Sequence, residues 1–152
     1  LLAKIDLLEL LVSRNEVITS DIVYMEVVKN KEKIRKDSIL IERLVQEKKL
    51  KIKTPEKLIK SNIERLFNLK AGELEAISLA YKTNNTILSD DKKCLNVAKA
   101  LGINFITSLD VVIALYRKDV ISKEKALEFI NKLENYGWYA KDLIKIYMEK
   151  IK

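Results

Sequence analysis

The sequence predicts an α/β protein, with a small central parallel sheet flanked by several helices, in a single domain over residues 1–152. Three observations support this fold class. Segments with apolar residues at helical spacing alternate with short apolar runs. In the second half a strand, a short helix and a strand follow one another, an order that favours a parallel pair with a right-handed crossover. The composition, 48% hydrophobic and 34% charged, suits a chain with one sizeable core.

The first part of the chain predicts two helices separated by an extended run. Residues 2–12 place apolar side chains at helical spacing, and residues 15–19 form the extended run. Ser20 and Asp21 then provide N-cap candidates for a second helix over residues 22–28.

A basic stretch at residues 29–36 reads as a solvated segment before the next helical pattern, at 39–45. Residues 50–53 alternate in polarity and predict a short edge strand. The run 54–56, Thr-Pro-Glu, has an N-cap, a proline at the first helical position and an acid in the first turn, so we expect a helix to start there. That helix is expected to stop near residues 71–72.

The rest of the chain predicts five helices and two strands. The strands are expected at 86–89 and 103–107, and the helices at 73–82, 92–101, 108–117, 123–137 and 143–151.

Charge and residue usage narrow the possible functions. The 29 Lys and Arg residues against 22 Asp and Glu give a net charge of +7, which favours an anionic partner such as nucleic acid. There is no histidine and only one cysteine, so the usual zinc sets, a histidine base and an internal disulfide are excluded. Cys94 is expected to be a small core residue. The sequence has no apolar run long enough for a membrane span and no visible signal peptide, so we expect a cytoplasmic protein.

The remaining candidates for chemistry are carboxylates. Glu26 lies among apolar residues of a predicted helix, where it is either partly desolvated and paired or turned to water. Glu75 precedes a run of small and apolar residues, and as an isolated observation reads as a flanking residue. Asp90 and Asp91 follow a predicted strand, where capping of the next helix explains one of them. Together these acids match an oxygen-ligand site for Mg²⁺ or Mn²⁺, which activates water in phosphodiester hydrolysis, although spacing alone does not bring them together.

Four segments resemble a known family. They are V-x-x-E at 23–26, G-E-x-E-A-I-x-L-A at 72–80, L-x-D-D-K-K-x-x-x-x-A at 88–98 and G-I-x-F-I-T-S at 102–108. This pattern resembles a PIN domain, closest to the archaeal and bacterial branch related to VapC toxins. The resemblance implies a Mg²⁺- or Mn²⁺-dependent endoribonuclease that cuts single-stranded RNA, with a cognate antitoxin as partner and a homodimeric assembly.

The resemblance also implies roles for the acids. Glu26 corresponds to the second acid of the family's metal-binding set and Glu75 to the third. Asp91, with Asp90 beside it, corresponds to the fourth. In this reading one aspartate of the pair starts a helix and the other faces the metal.

Ser108 resembles a polar residue often found near the family's acids, and is expected to orient water or phosphate through the helix N-terminus. Relatives tend to carry an arginine where this chain has Leu95. Lys92 and Lys93 are therefore the candidates for the electrostatic contact with RNA.

The family's first acid is an aspartate at the end of a first strand, which has no counterpart in this sequence. Residues 1–12 resemble the helix that follows that strand, and Asp6 is a poor substitute for the aspartate. Either the strand precedes Leu1, or the protein is a catalytically inactive relative that binds nucleic acid, with basic helices such as 29–36 contacting phosphates. A phosphoacceptor receiver domain fits less well because its aspartate pair follows the first strand. A glycine-rich phosphate loop is absent from the sequence.

Overall fold

Helices make up most of the chain. The computed structural model describes residues 1–29, 36–137 and 139–151. A 3₁₀ helix at Leu2–Ile5 precedes the α-helices, which are α1 Leu8–Val12, α2 Asp21–Val28, α3 Lys36–Gln46, α4 Lys57–Leu66, α5 Ala71–Ala80, α6 Lys92–Ala100, α7 Ser108–Arg117, α8 Lys123–Tyr136 and α9 Lys141–Glu149. The strands are β1 Val17–Ser20, β2 Leu50–Lys53, β3 Ile87–Leu88 and β4 Phe105–Ile106.

The strands pair in parallel, which confirms the predicted α/β class. Strand β1 pairs with β2, in a register that sets Val17 opposite Leu50. Strand β3 pairs with β4, with Ile87 opposite Phe105, and α6 forms the crossover between them. Among the described residues the strands form two two-stranded sheets, and α5 contacts a strand of each, β1 and β3. Helix α5 is therefore an element that contacts both sheets.

The single helix predicted over residues 2–12 is wrong, because the chain breaks at Asp6. Asp6 adopts a left-handed conformation, with φ 61°, after the 3₁₀ helix. Residues two apart on a continuous helix face different directions. The break allows Ile5 and Leu7, both completely buried, to enter the same apolar cluster.

The predicted start of α4 is also wrong. The Thr54 hydroxyl does not cap this helix but donates a hydrogen bond to Oδ2 of Asp21, at 2.5 Å. Glu56 occupies the N-cap position instead, and the helix ends at Leu66, earlier than expected, because Phe67 is extended. A tertiary contact thus replaces the local cap. Residues 30–35 of the predicted basic stretch lie outside the described residues.

Three clusters of buried side chains form the interior. One joins Leu2, Ile5 and Leu7 to helices α7, α8 and α9. A second lies between α4, α5, α6 and β3 and includes Cys94, which is 1% exposed, as the sequence predicts. The third is formed around Leu44. In the described parts of the chain, no helix is long and apolar enough to cross a membrane.

Candidate active site

Glu75 lies on α5 and is buried, with only 4% of its surface exposed. Lys60 Nζ donates to its Oε1 at 2.8 Å, and the Ile22 backbone N–H makes a longer contact of 3.4 Å to Oε2. The Ser20 hydroxyl, at the end of β1, also hydrogen-bonds to the carboxylate. Burial acts to raise the pKa of Glu75, but these donors outweigh it and hold the pKa below its usual value. Glu75 is thus an ionised internal carboxylate, and the alternative of a flanking surface residue is wrong.

Glu26 lies on α2, beside the first turn of α5. A Cβ added to Gly72 would lie 3.1 Å from Glu26 Oε2 and 3.0 Å from Val23 Cγ2, so the glycine permits this close approach. The position at a helix N-terminus favours a carboxylate. Glu26 is nevertheless exposed, because α2 turns this side chain away from its buried residue Val28. The expectation of a desolvated Glu26 is therefore wrong, and the carboxylate is open to an incoming ligand.

Asp91 caps α6 and thereby confirms that one aspartate of the pair starts the helix. Its Oδ1 accepts the Cys94 backbone N–H at 2.9 Å, and its own N–H donates to Ser89 Oγ at 3.2 Å. Lys92 and Lys93, the predicted contacts with nucleic acid, are exposed in the first turn of α6. Their ammonium groups are therefore accessible next to the aspartates.

Asp90 connects β3 to the start of α7. The Ser108 backbone N–H donates to Oδ1 at 2.8 Å, and the Ser108 hydroxyl donates to Oδ2 at 2.6 Å. The Tyr139 hydroxyl also donates to Oδ1. Ser108 is fully buried, so both of its donors serve Asp90 and neither is directed to solvent, contrary to the expected orientation of water or phosphate. In this arrangement Ser108 positions Asp90.

The amino half of α5 brings two of the four predicted acids into one region. Glu26 lies against Gly72, and Glu75 lies one turn further along the helix. Helix α5 also contacts α6, the helix that Asp91 caps. Helix α5 therefore lies between the end of β1 and the start of α6. Among the described residues, however, no three His, Cys, Asp or Glu side chains are close enough to hold a metal ion.

The donor chemistry still fits a hard cation. Every candidate ligand is a carboxylate or hydroxyl oxygen, which suits Mg²⁺ or Mn²⁺ and not a soft metal. Mg²⁺ usually keeps several waters and takes one or two carboxylates together with substrate phosphates. Carboxylates that do not form a closed cluster can therefore serve such an ion when water and phosphate complete its shell.

Lys60 and Tyr139 are the partners that the sequence does not reveal, because each contacts an acid on another element. A further acid, Asp110, accepts hydrogen bonds from the Thr107 backbone N–H, at 2.9 Å, and from the Tyr147 hydroxyl. The Thr107 side chain in turn caps α7 by accepting the Asp110 N–H. The spacing Thr-x-x-Asp is that of a capping box, so a local signal for Asp110 was present in the sequence.

Carboxylates on α2 and α5 and just after β3 define an α/β protein with an acidic site. A family model for a PIN domain matches residues 1–151. Since this match covers almost the whole chain, the protein belongs to the PIN domain family. PIN domains are generally nucleases, and they usually use divalent metal ions. Among curated proteins no sequence matches the chain.

Proposed function

We propose that the protein is a metal-dependent endoribonuclease that cuts single-stranded RNA. The observation that carries this proposal is the position of α5, which lies beside Glu26, carries Glu75 and contacts α6, the helix that Asp91 caps. Family membership supports a nuclease in general. The net charge of +7 favours RNA as an anionic partner.

The proposed ligands of Mg²⁺ or Mn²⁺ are Glu26, Glu75, Asp90 and Asp91. When bound, a divalent ion activates water and stabilises the charge that develops on the scissile phosphate. The protein's own contribution is to hold these oxygens in place. Ser20 and the Ile22 N–H orient Glu75, while Ser108 orients Asp90.

Electrostatic attraction of the substrate is assigned to the first turn of α6. Lys92 and Lys93 are exposed there, directly after Asp91. Lysines neutralise phosphates and release counterions, which gives affinity without sequence preference. The resemblance to VapC toxins extends the proposal to a toxin that pairs with an antitoxin, acts in the cytoplasm and forms a homodimer.

The test is cleavage of a generic single-stranded RNA by the full-length protein, with Mn²⁺ and with a chelator. We expect cutting that the chelator stops. Glu26→Gln and Asp91→Asn should each abolish cutting without unfolding the protein, since Asn also caps helices well. Glu134→Gln, on the exposed face of α8, is the matched control and should cut normally. Normal turnover by both site variants would exclude this assignment of the site.

A second candidate is a catalytically silent RNA-binding relative. It is favoured by the absence of a three-acid group among the described residues and by the neutralisation of Glu75 by Lys60. Salt-sensitive binding of RNA in fluorescence anisotropy, with no metal-dependent cutting, would support this candidate.

A further inference from the structure

The ion pair between Lys60 and Glu75 distinguishes Glu75 from the other proposed metal ligands. Lys60 Nζ lies 2.8 Å from Glu75 Oε1. In the described ranges, Glu26, Asp90 and Asp91 form no ion pair with a lysine or arginine side chain. Glu75 is therefore a proposed metal ligand whose Oε1 already contacts a cation, the Lys60 ammonium group.

The two oxygens of Glu75 face different partners. Oε2 receives the Ile22 backbone N–H, which fixes that oxygen to the start of α2. Oε1 is the oxygen that receives the ammonium group. The Glu75 side chain is 5% exposed while that of Lys60 is 31% exposed, so the pair reaches solvent through the lysine.

We propose that Lys60 is a positioning residue that holds Glu75 in the metal-free protein and competes with the divalent ion for Oε1. This inference rests on the proposed function. An ammonium at hydrogen-bond distance and a divalent ion at coordination distance repel each other when both contact one oxygen. Lysine is a point charge on a flexible stem, so Lys60 can withdraw toward solvent when the metal binds.

The test measures binding of Mn²⁺ alone by isothermal titration calorimetry. Lys60→Met and Lys60→Gln remove the competing charge, and Gln keeps a hydrogen-bond donor in case the Met variant does not fold. We expect both to bind Mn²⁺ about tenfold more tightly than the unmodified protein, the size of effect that one neighbouring charge has on proton binding. Lys60→Arg keeps the charge and should bind close to the original affinity.

Lys57→Met is the control for loss of one positive charge. Lys57 is exposed and lies on the same helix, one turn before Lys60. We expect Lys57→Met to bind Mn²⁺ within about twofold of the affinity of the unmodified protein. A purely structural role for Lys60 predicts the opposite result, because disordering of Glu75 would weaken metal binding. Adding Glu75→Gln to Lys60→Met should abolish the gain.

The outcomes separate this inference from the proposed function. Tighter binding by Lys60→Met and Lys60→Gln supports the inference, including when only the variants bind Mn²⁺. Unchanged or weaker binding, alongside Mn²⁺-dependent cutting of RNA by the unmodified protein, overturns the inference alone. Absence of Mn²⁺ binding in all forms, together with absence of metal-dependent cutting, overturns both.

Discussion

Glu75 lies on α5 beside the end of β1, and Asp90 lies just after β3, and the two acids are held in different ways. Glu75 has an ammonium group on one oxygen, so its charge is neutralised inside the protein. Asp90 receives the Ser108 N–H and hydroxyl and the Tyr139 hydroxyl, all of them neutral donors. Neutral donors orient a carboxylate and leave its net charge in place, whereas a lysine orients it and cancels the charge. The first arrangement depends on an ion pair and the second on hydroxyl groups.

The largest effect on stability is expected from breaking the ion pair. Lys60→Met leaves the buried Glu75 carboxylate without its cation, and loss of one partner of a fully buried pair costs roughly 3–5 kcal/mol. Because Lys60 is partly exposed, we expect a decrease of about 2 kcal/mol in the free energy of unfolding. Urea denaturation at neutral pH and low salt measures this change. Lys57→Met should change stability by less than about 0.5 kcal/mol, and an equal loss in both variants would contradict the ion-pair explanation.

A smaller effect is expected at Asp90. Tyr139→Phe removes one of three donors to a charged acceptor, so we expect a loss of about 1.5 kcal/mol. The loss should be nearly the same in low and high salt, unlike that of Lys60→Met, because no ion pair is broken. The exposed Tyr136 provides the control through Tyr136→Phe, which should be nearly neutral. A strong salt dependence for Tyr139→Phe would remove the contrast between the two acids.

The smallest effect concerns pH and the second hydroxyl-held acid, Asp110. Burial, followed by the hydrogen bond to Asp110, raises the pKa of Tyr147 from 10.0 to about 12. A phenol that holds its proton more tightly when folded stabilises the protein below pH 10, and this contribution is lost as the pH rises from 10 toward 12. Over this pH range we expect the free energy of unfolding to fall by about 1 kcal/mol less in Tyr147→Phe than in the unmodified protein. Unfolding curves between pH 8 and 12 test this, and parallel curves would contradict it.

The lysine-held acid responds at the other end of the pH scale. The pKa of Glu75 is lowered despite burial, so its contribution to stability is present above the usual glutamate pKa and is lost as the pH falls through the lowered value. Alkaline sensitivity therefore belongs to the tyrosine hydroxyl that holds Asp110, whereas acid sensitivity belongs to Glu75 and also to Asp110, because hydrogen bonds outweigh burial and lower the pKa of Asp110 as well. Both kinds of contact stabilise the protein less outside the neutral range. A carboxylate gains a proton in acid, whereas a tyrosine hydroxyl loses its proton in alkali.

The sequence predicts the features that depend on neighbouring residues. The sequence predicts that Ser20 and one aspartate of the Asp90–Asp91 pair start helices, because a cap and its N–H partner lie within three positions. Both predictions are confirmed, with Asp91 as the capping aspartate. The α/β class, the parallel strands and the PIN domain family are also confirmed. These features rest on periodicity and short motifs, which the linear sequence contains.

Contacts between distant elements were not predictable. Thr54 bonds to Asp21 across 33 positions, and Tyr139 reaches Asp90 across 49. The pairing of Lys60 with Glu75 depends on how α4 packs against α5. The four acids chosen from the sequence remain the proposed ligands, but their convergence depends on such packing, which spacing along the chain does not encode.

The cluster that joins Leu2, Ile5 and Leu7 to α7, α8 and α9 affects how the protein is made. These side chains contact partners about a hundred residues later in the chain, so their packing has a high contact order. At a synthesis rate of about 5–20 residues per second, roughly ten seconds pass on the ribosome before those partners emerge. During that interval the early apolar residues are unprotected, and a chaperone that shields them would raise the yield of native protein.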